Sequence, residues 1–269
     1  MNLVLIEERE VAPDGTARLT GRRAAHVLEI LRATPGDRIR AGVVDGRMGE
    51  AAVLAAGPDV VVLAPTLDRE PPPPSPVSLL VALPRPKILR RVLQAASSMG
   101  VKSIVLVGSW RVEKSYWSSP LLRPEAIRQQ LLLGLEQGRD TALPEVLVAR
   151  LFKPFVEDRL DATFAGGERL LAHPGDRRLE GVRPGADRAV IAIGPEGGWT
   201  PYEARQLEAR RFLPFSLGSR TLRVDTAVPF AVGAVEHWLV PGTRQVPRQV
   251  PGTTDATDAT DEPDGRGER

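Results

Sequence analysis

The chain has no cysteine and only three histidines in 269 residues. Without thiols there is no disulfide framework, no thiolate nucleophile and no iron–sulfur cluster. His26, His173 and His237 are scattered, so no metal site is expected. Aromatic residues make up only 4%. No window approaches the ~18 apolar residues of a membrane span, so no membrane partner is expected. The opening MNLVLIEERE runs from four apolar residues into acids and does not read as a signal peptide. A cytoplasmic protein is the expectation. Excess charge of either sign is also lacking: 36 Lys and Arg stand against 34 Asp and Glu, a formal net charge of +2. The sequence pI near 9.3 overstates this surplus, because little titrates between pH 7 and 9. The distribution says more. Residues 1–70 hold 9 basic and 11 acidic groups, whereas residues 77–240 hold 23 and 17. The second block could attract a polyanion by weak steering, although a solvated surface of mixed charge gives the same numbers.

Hydrophobic residues make up 42%, enough for a substantial core. EPPPPSP at 70–76 marks a boundary, since consecutive prolines favour an extended, semi-rigid spacer. Before it, RIRAGVVDG, GEAAVLAAG and DVVVLAP are short β-like runs punctuated by Gly and Asp, as in a small barrel or sandwich. One helical patch interrupts at 21–37, with His26, Ile30 and Leu31 on one side. After the spacer, strands alternate with helices. VSLLVAL (77–83), VKSIVLVGS, EVLVAR, RLLAH, AVIAI and FLPFSLG read as strands. Residues 87–100, 123–138 and 226–239 read as helices, with Gly100 and Gly138 as stops and Pro229 in the first turn of the last. This alternation predicts an α/β fold with a mostly parallel sheet. The expected organisation is a β-barrel unit over 1–70, a linker over 71–76, an α/β unit over 77–240 and a disordered tail over 241–269, which is rich in Pro, Gly, Thr and Asp.

IAIGPEGGWTPYEARQLE at 191–208 is the most informative stretch. A buried strand stops at Gly-Pro-Glu-Gly-Gly, and Thr200-Pro201-Tyr202-Glu203 follows as a capping box with Pro at the first helical position. The loop therefore joins a strand's carboxyl end to a helix's amino end, where open α/β sheets bind ligands. Gly194, Gly197 and Gly198 permit positive φ and leave bare backbone for a ligand to lie against. The stretch is neither G-x-G-x-x-G nor a Walker A loop, and its acid disfavours a phosphate cradle. An adenosine-type ligand with a cationic group suits it better; a tight turn with a strained backbone is the alternative.

A second segment, SLGSRTLRVDTAVPFAVGAVEHW at 216–238, carries Leu-Gly-x-Arg-x-Leu-Arg into a helix capped at Asp225 or Thr226. Together the two segments resemble the knotted SPOUT methyltransferases and, more narrowly, the RsmE family, which methylates N3 of a uridine in 16S ribosomal RNA. His26 through Arg32 with Gly36-Asp37, Lys87 with Gln94 and Met99-Gly100-Val101, Glu136-Gln137 with Arg139 and Pro144-Glu145, and Leu171-Ala172-His173-Pro174 are similar to further stretches of that family. The chain departs from it at Ser98-Met99, where Glu often precedes Leu-Gly-Val, and at Asp225, where Glu is usual. The resemblance implies a C-terminal SPOUT trefoil-knot domain with a mostly parallel sheet, an N-terminal PUA-like β-barrel domain that helps hold RNA, and a homodimer with active sites at the subunit interface. It implies S-adenosylmethionine bound by Leu171 and His173, by Ile193, Gly194, Pro195, Glu196, Gly197 and Gly198, and by Leu217, Gly218, Leu222 and Thr226. It also implies 16S ribosomal RNA, or the 30S subunit, as partner.

The residues bear on the chemistry. Methylation at C5 of a pyrimidine usually needs a thiolate that this chain lacks. Methylation at N3 needs only proton removal and alignment. Loss of that proton puts charge on the imide, and a guanidinium is its natural stabiliser. Arg223 and Arg220 are the catalytic candidates. Asp225 could orient an arginine, take the proton directly or through water, or simply cap the helix. Arg22, Arg23, Arg32 and Lys87 are candidate RNA contacts, with Arg18, Arg38 and Arg40 beside them in the first unit; pairing with acids is their alternative role. Trp110, Tyr116 and Trp117 could stack on bases or pack in the core. Two other functions fit less of the pattern: a SPOUT enzyme with another target, such as a tRNA ribose hydroxyl, and a non-catalytic RNA-binding relative.

Overall fold

A computed structural model describes residues 2–179 and 184–239. The expected tail, 241–269, lies outside the described residues. The chain forms two sheets joined through the proline-rich segment. The first has strand order β1-β3-β4-β5-β2, built from β1 (Val4–Ile6), β2 (Ala17–Thr20), β3 (Arg38–Val43), β4 (Met48–Ala56) and β5 (Val60–Arg69). β1 pairs with β3 in parallel, the other pairs are antiparallel, and the sheet curls into a nearly closed barrel. Its core is Val4, Ile6, Leu19, Val27, Ile39, Val53, Val61 and Leu63. β1 and β2 are strands that the sequence reading left out.

The helical patch of the first unit differs from expectation. Helix α1 (Gly21–Ala25) passes into a π-helical turn over His26–Ile30, and Arg32 ends it at φ 53°. The wider turn rotates the pattern. Ala24 and Val27 face the core, while Ile30 and Leu31 are exposed.

The second sheet is all parallel, in the order β11-β9-β10-β6-β7-β8. Its strands are β6 (Val77–Ala82), β7 (Ser103–Val107), β8 (Glu145–Ala149), β9 (Glu168–Ala172), β10 (Ala189–Ile193) and β11 (Leu213–Phe215). All five residues of β10 are buried. Ala189, Ile191 and Ile193 face one core, and Val190 and Ala192 face the other. That two-sided burial explains why AVIAI is apolar without alternation. The first core is covered by α2 (Pro86–Ser98), α3 (Pro124–Gly138) and α7 (Val224–Leu239). The second is covered by α6 (Pro201–Ala209) and by a broken crossing made of α4 (Phe152–Pro154), a π-helical turn and α5 (Leu160–Thr163).

Helix α2 buries Leu89, Val92, Leu93 and Ala96 on one face. It ends in a Schellman motif: Gly100 takes φ 82°, its N–H donates to Ser97, and the Val101 N–H donates to Ala96. Gly138 is not the stop expected at the end of α3. The left-handed residue there is Arg139, at φ 57°. A Cβ on Gly138 would lie 2.5 Å from the Ser98 carbonyl oxygen, and one on Gly134 would lie 2.4 Å from that of Gln94. Both glycines let α3 pack closely on α2. Helix α7 begins at Val224, two residues earlier than expected, so Pro229 stands inside it rather than in its first turn.

The two sheets are docked by backbone as well as side chains. The Asn2 and Leu3 N–H groups donate to the Glu136 carbonyl, and Leu3 and Leu5 pack on Leu135. Asp45 donates its N–H to the Thr141 carbonyl and accepts from the Leu143 N–H.

Candidate active site

Parallel pairing places the carboxyl ends of β6, β7, β9, β10 and β11 together, and the loops leaving β9, β10 and β11 enclose a cavity of about 320 Å³. Pockets for small molecules begin at roughly this volume. The glycine loop, Gly194 to Gly198, forms one wall. Ala172 and His173 come from the end of β9, and Ser216 to Leu222 close the far side. His173 is fixed by its backbone N–H, which donates to Phe215 at 3.0 Å.

The three glycines do different things. Only Gly198 has positive φ, at 71°. A Cβ on Gly194 would approach the Trp199 nitrogen at 2.9 Å, so Gly194 permits the loop to turn on itself. Gly197 lies under the side chain of Arg111, whose guanidinium donates to the Gly197 carbonyl. Glu196 accepts the Arg85 N–H at 3.1 Å, setting a carboxylate at the amino end of α2. The capping box is formed, with Thr200 Oγ1 accepting the Glu203 N–H at 3.2 Å and Glu203 accepting the Thr200 N–H at 2.9 Å. Glu203 is 3% exposed and also accepts the Trp110 N–H at 2.8 Å. One carboxylate thus ties the loop after β7 to the loop after β10.

The structure brings most of the sequence-predicted cofactor residues together. His173, Ile193 to Gly198, Leu217, Gly218 and Leu222 all line the cavity, and Arg220 lines it too. Leu171 does not, since its side chain is fully buried between β9 and the second core. Thr226 is exposed outside the lining. Arg111, Trp199 and Ser219 line the cavity and were missed by the sequence reading. Arg111 had a signal: it follows the carboxyl end of a buried strand, as Gly194 does.

Arg223 stands at the start of α7. Its carbonyl accepts the N–H groups of Thr226 and Ala227, the first bonds of the helix, so Arg223 holds the N-cap position and Asp225 and Thr226 lie inside the first turn. Asp225 Oδ2 accepts from Arg91 Nη1 at 2.9 Å and from Arg223 Nη2 at 3.3 Å. Arg91, with Arg223 near it, holds the Asp225 carboxyl below its usual range. A carboxylate so held is a poor proton acceptor near neutral pH.

The expected RNA contacts separate into two groups. Arg22 pairs with the buried Glu136 at 2.7 Å, and Arg23 forks onto Glu10 and the Leu5 carbonyl. Both hold the first sheet in place. Arg32 and Lys87 are exposed on the surface, and among the described residues neither forms an ion pair. Tyr116 and Trp117 pack against the core, whereas Trp110 is 87% exposed. Among the described residues, no His, Asp and Glu cluster could hold a metal, and no helix is long and apolar enough to cross a membrane.

Comparison with known proteins is consistent with this geometry. A family model described as an RNA methyltransferase domain matches residues 71–236. Ribosomal RNA small subunit methyltransferase E of Treponema pallidum is 34% identical over 259 residues, covering 92% of this chain and 95% of that protein. The chain belongs to this methyltransferase family. A Borreliella burgdorferi family member, small subunit methyltransferase E 1, is 25% identical, covering 84% of this chain and 94% of its own length. The crystal structure of the Neisseria gonorrhoeae family member, bound to S-adenosyl methionine, matches with a TM-score of 0.68 at 22% identity. That match covers 87% of this chain and 97% of the other. It shows a shared fold, an α/β unit with a mostly parallel sheet preceded by a barrel-like sheet.

Proposed function

We propose that this protein transfers the methyl group of S-adenosylmethionine to N3 of a uridine in 16S ribosomal RNA, as a homodimer. The observation that carries this reading is the cavity at the carboxyl end of the parallel sheet, with bare glycine backbone on one wall and Arg220 on the other. The residues fit the cofactor. The cavity is of small-molecule size, its lining is mostly apolar, and a Cβ on Gly198 would meet nothing within 4 Å, so bare backbone borders open space there. His173, the backbone of Ile193 to Gly198, Leu217, Gly218 and Leu222 would hold it. When bound, the cofactor supplies an electrophilic methyl group on a sulfonium centre.

The protein's own residues handle the nucleophile. Arg223, always charged and planar, stabilises negative charge on the imide as the uridine gives its N3 proton to water, and the N3 lone pair then takes the methyl group as its bond to sulfur breaks. Arg220 anchors the substrate at the cavity wall. Asp225 orients Arg223 and does not act as the base, since its one fixed oxygen is already shared by two guanidiniums. The absence of cysteine favours a ring nitrogen over C5 as acceptor. Exposed Arg32 and Lys87 contact RNA phosphates, and residues 1–70 serve as the RNA-holding unit beside a methyltransferase unit over 77–240. Phe230, 54% exposed on α7, belongs to the subunit interface.

The test is transfer of tritium from labelled S-adenosylmethionine to 30S subunits, followed by nucleoside analysis. Label in 3-methyluridine of 16S RNA is the expected result. Label in a 2′-O-methyl nucleoside of tRNA would assign the enzyme to another SPOUT target, and cofactor binding without transfer to any RNA would overturn catalysis.

A further inference from the structure

We propose that Arg91, on α2, is a positioning residue for methyl transfer: through Asp225 it fixes the guanidinium of Arg223. The inference rests on the assignment of Arg223 above. Arg91 and Arg223 come from different elements, α2 and the loop before α7, and meet on the same oxygen of Asp225. The two contacts are unequal, 2.9 Å for Arg91 and 3.3 Å for Arg223. Asp225 Oδ1 is buried and has no hydrogen-bond partner. The carboxylate, with its side chain 10% exposed, therefore depends on Oδ2, and mainly on Arg91, for its placement. Arg223 is the more exposed and more distant member, its side chain 67% exposed against 53% for Arg91. A free arginine on a surface explores many rotamers, and ordering it at the moment of reaction would raise the barrier. Asp225 holds it beforehand, and Arg91 holds Asp225. Among the described residues, Arg91 from α2 and Arg223 from the adjoining loop are the charged groups that act on Asp225. Lys87 lies one helical turn before Arg91 on the same face of α2, so this face presents two cations beside α7.

A double-mutant cycle tests the coupling, with kcat and KM for 30S subunits measured at saturating S-adenosylmethionine. Arg91→Ala should lower kcat by roughly tenfold, less than the about hundredfold expected on removing a charge-stabilising donor outright. KM for RNA and the cofactor Kd should stay unchanged, and Arg91→Lys should recover much of the loss. In an Arg223→Ala background, Arg91→Ala should have little further effect. An equal loss in both backgrounds would overturn the proposal, as would a rise in KM for RNA with kcat intact, which would make Arg91 an RNA anchor. Arg91→Gln, which keeps most of the aliphatic stem, guards against a packing defect and should behave as Arg91→Ala does. A second readout needs neither substrate nor activity. Carbon-13 NMR titration of the Asp225 carboxyl should give a higher apparent pKa in Arg91→Ala than in the wild type, and an unchanged titration would also overturn the coupling. If the wild type methylates no RNA, the functional reading fails while this titration still decides whether Arg91 controls Asp225.

Discussion

At the scale of single residues, the site separates groups that shape the cavity from groups that act on charge. Gly198 is a shaping residue. Its φ of 71° opposes any β-branched side chain, although nothing stands within 4 Å of where a Cβ would project. Gly198→Val should therefore fold and fail to bind S-adenosylmethionine. Circular dichroism should stay native while calorimetry shows no heat of binding; normal binding would reduce the loop to a turn. Arg223 is the residue proposed to act on charge. Arg223→Ala should lower kcat by about 3 kcal/mol, roughly a hundredfold, while cofactor affinity holds. Raising the pH should partly rescue that variant, because more of the uridine then ionises without help. Arg223→Lys should rescue little, since an ammonium lacks the planar fork. A large rise in KM for RNA with kcat near the wild-type value would make Arg223 a phosphate anchor. The glycines and Arg220 of the cavity wall were legible because each residue type has a narrow chemical use at such a loop. The partners of Asp225 were not. Arg91 lies 134 positions away, and only the packing of α2 on α7 brings it there. Gly138 shows the converse: its sequence position suggested a helix stop, but the approach of α2 was what required it.

At the scale of elements, the junction of β10 with α6 organises the site. The capping box was readable from Thr200-Pro201-Tyr202-Glu203, because it is local and its spacing is fixed. Its second use was hidden. Glu203 also accepts the N–H of Trp110, 93 positions earlier, so the element that caps α6 also sets the loop carrying Arg111. Thr200→Ala should cost about 1 kcal/mol of stability, as loss of an N-cap usually does. Glu203→Ala should cost more, about 2–3 kcal/mol, because N–H groups from two loops lose a buried, charged acceptor. It should also weaken S-adenosylmethionine binding, since Arg111 then loses its register against Gly197. Urea denaturation and calorimetry on both variants check this. Equal costs for the two would mean that the tie to Trp110 contributes nothing.

At the scale of the whole molecule, composition suggested a division at EPPPPSP, and the two sheets lie on either side of it, but nothing in the composition says how they meet. The stretch from Glu136 to Leu143, noticed in the sequence only as a family-like pattern, is where the first sheet docks. Such contacts join residues about 100 positions apart and leave no periodic trace. Glu7 and Arg128 form one of the ties, with Arg128 Nη1 at 2.6 Å and Nη2 at 2.8 Å from the two carboxylate oxygens. Arg128 holds the Glu7 carboxyl below its ordinary value of 4.5, and burial opposes this only in part. A carboxyl depressed in the folded state stabilises the fold at pH values above its unfolded pKa. That contribution is lost as the pH falls through the folded value. Glu7→Gln should thus melt below the wild type at pH 7 by roughly 2–4 °C, the shift that about 1 kcal/mol produces in a chain of this size. The gap should narrow as the pH falls below the ordinary value of 4.5, because the unfolded carboxyl then takes up a proton that the folded pair resists, and it is lost as the folded carboxyl protonates in turn. Arg128→Ala should show the same convergence, and adding it to Glu7→Gln should cost little more. Thermal melts across that pH range decide the matter: a gap that stays constant down to about pH 3 would place the effect of Glu7→Gln in packing rather than in the ion pair that joins the two sheets.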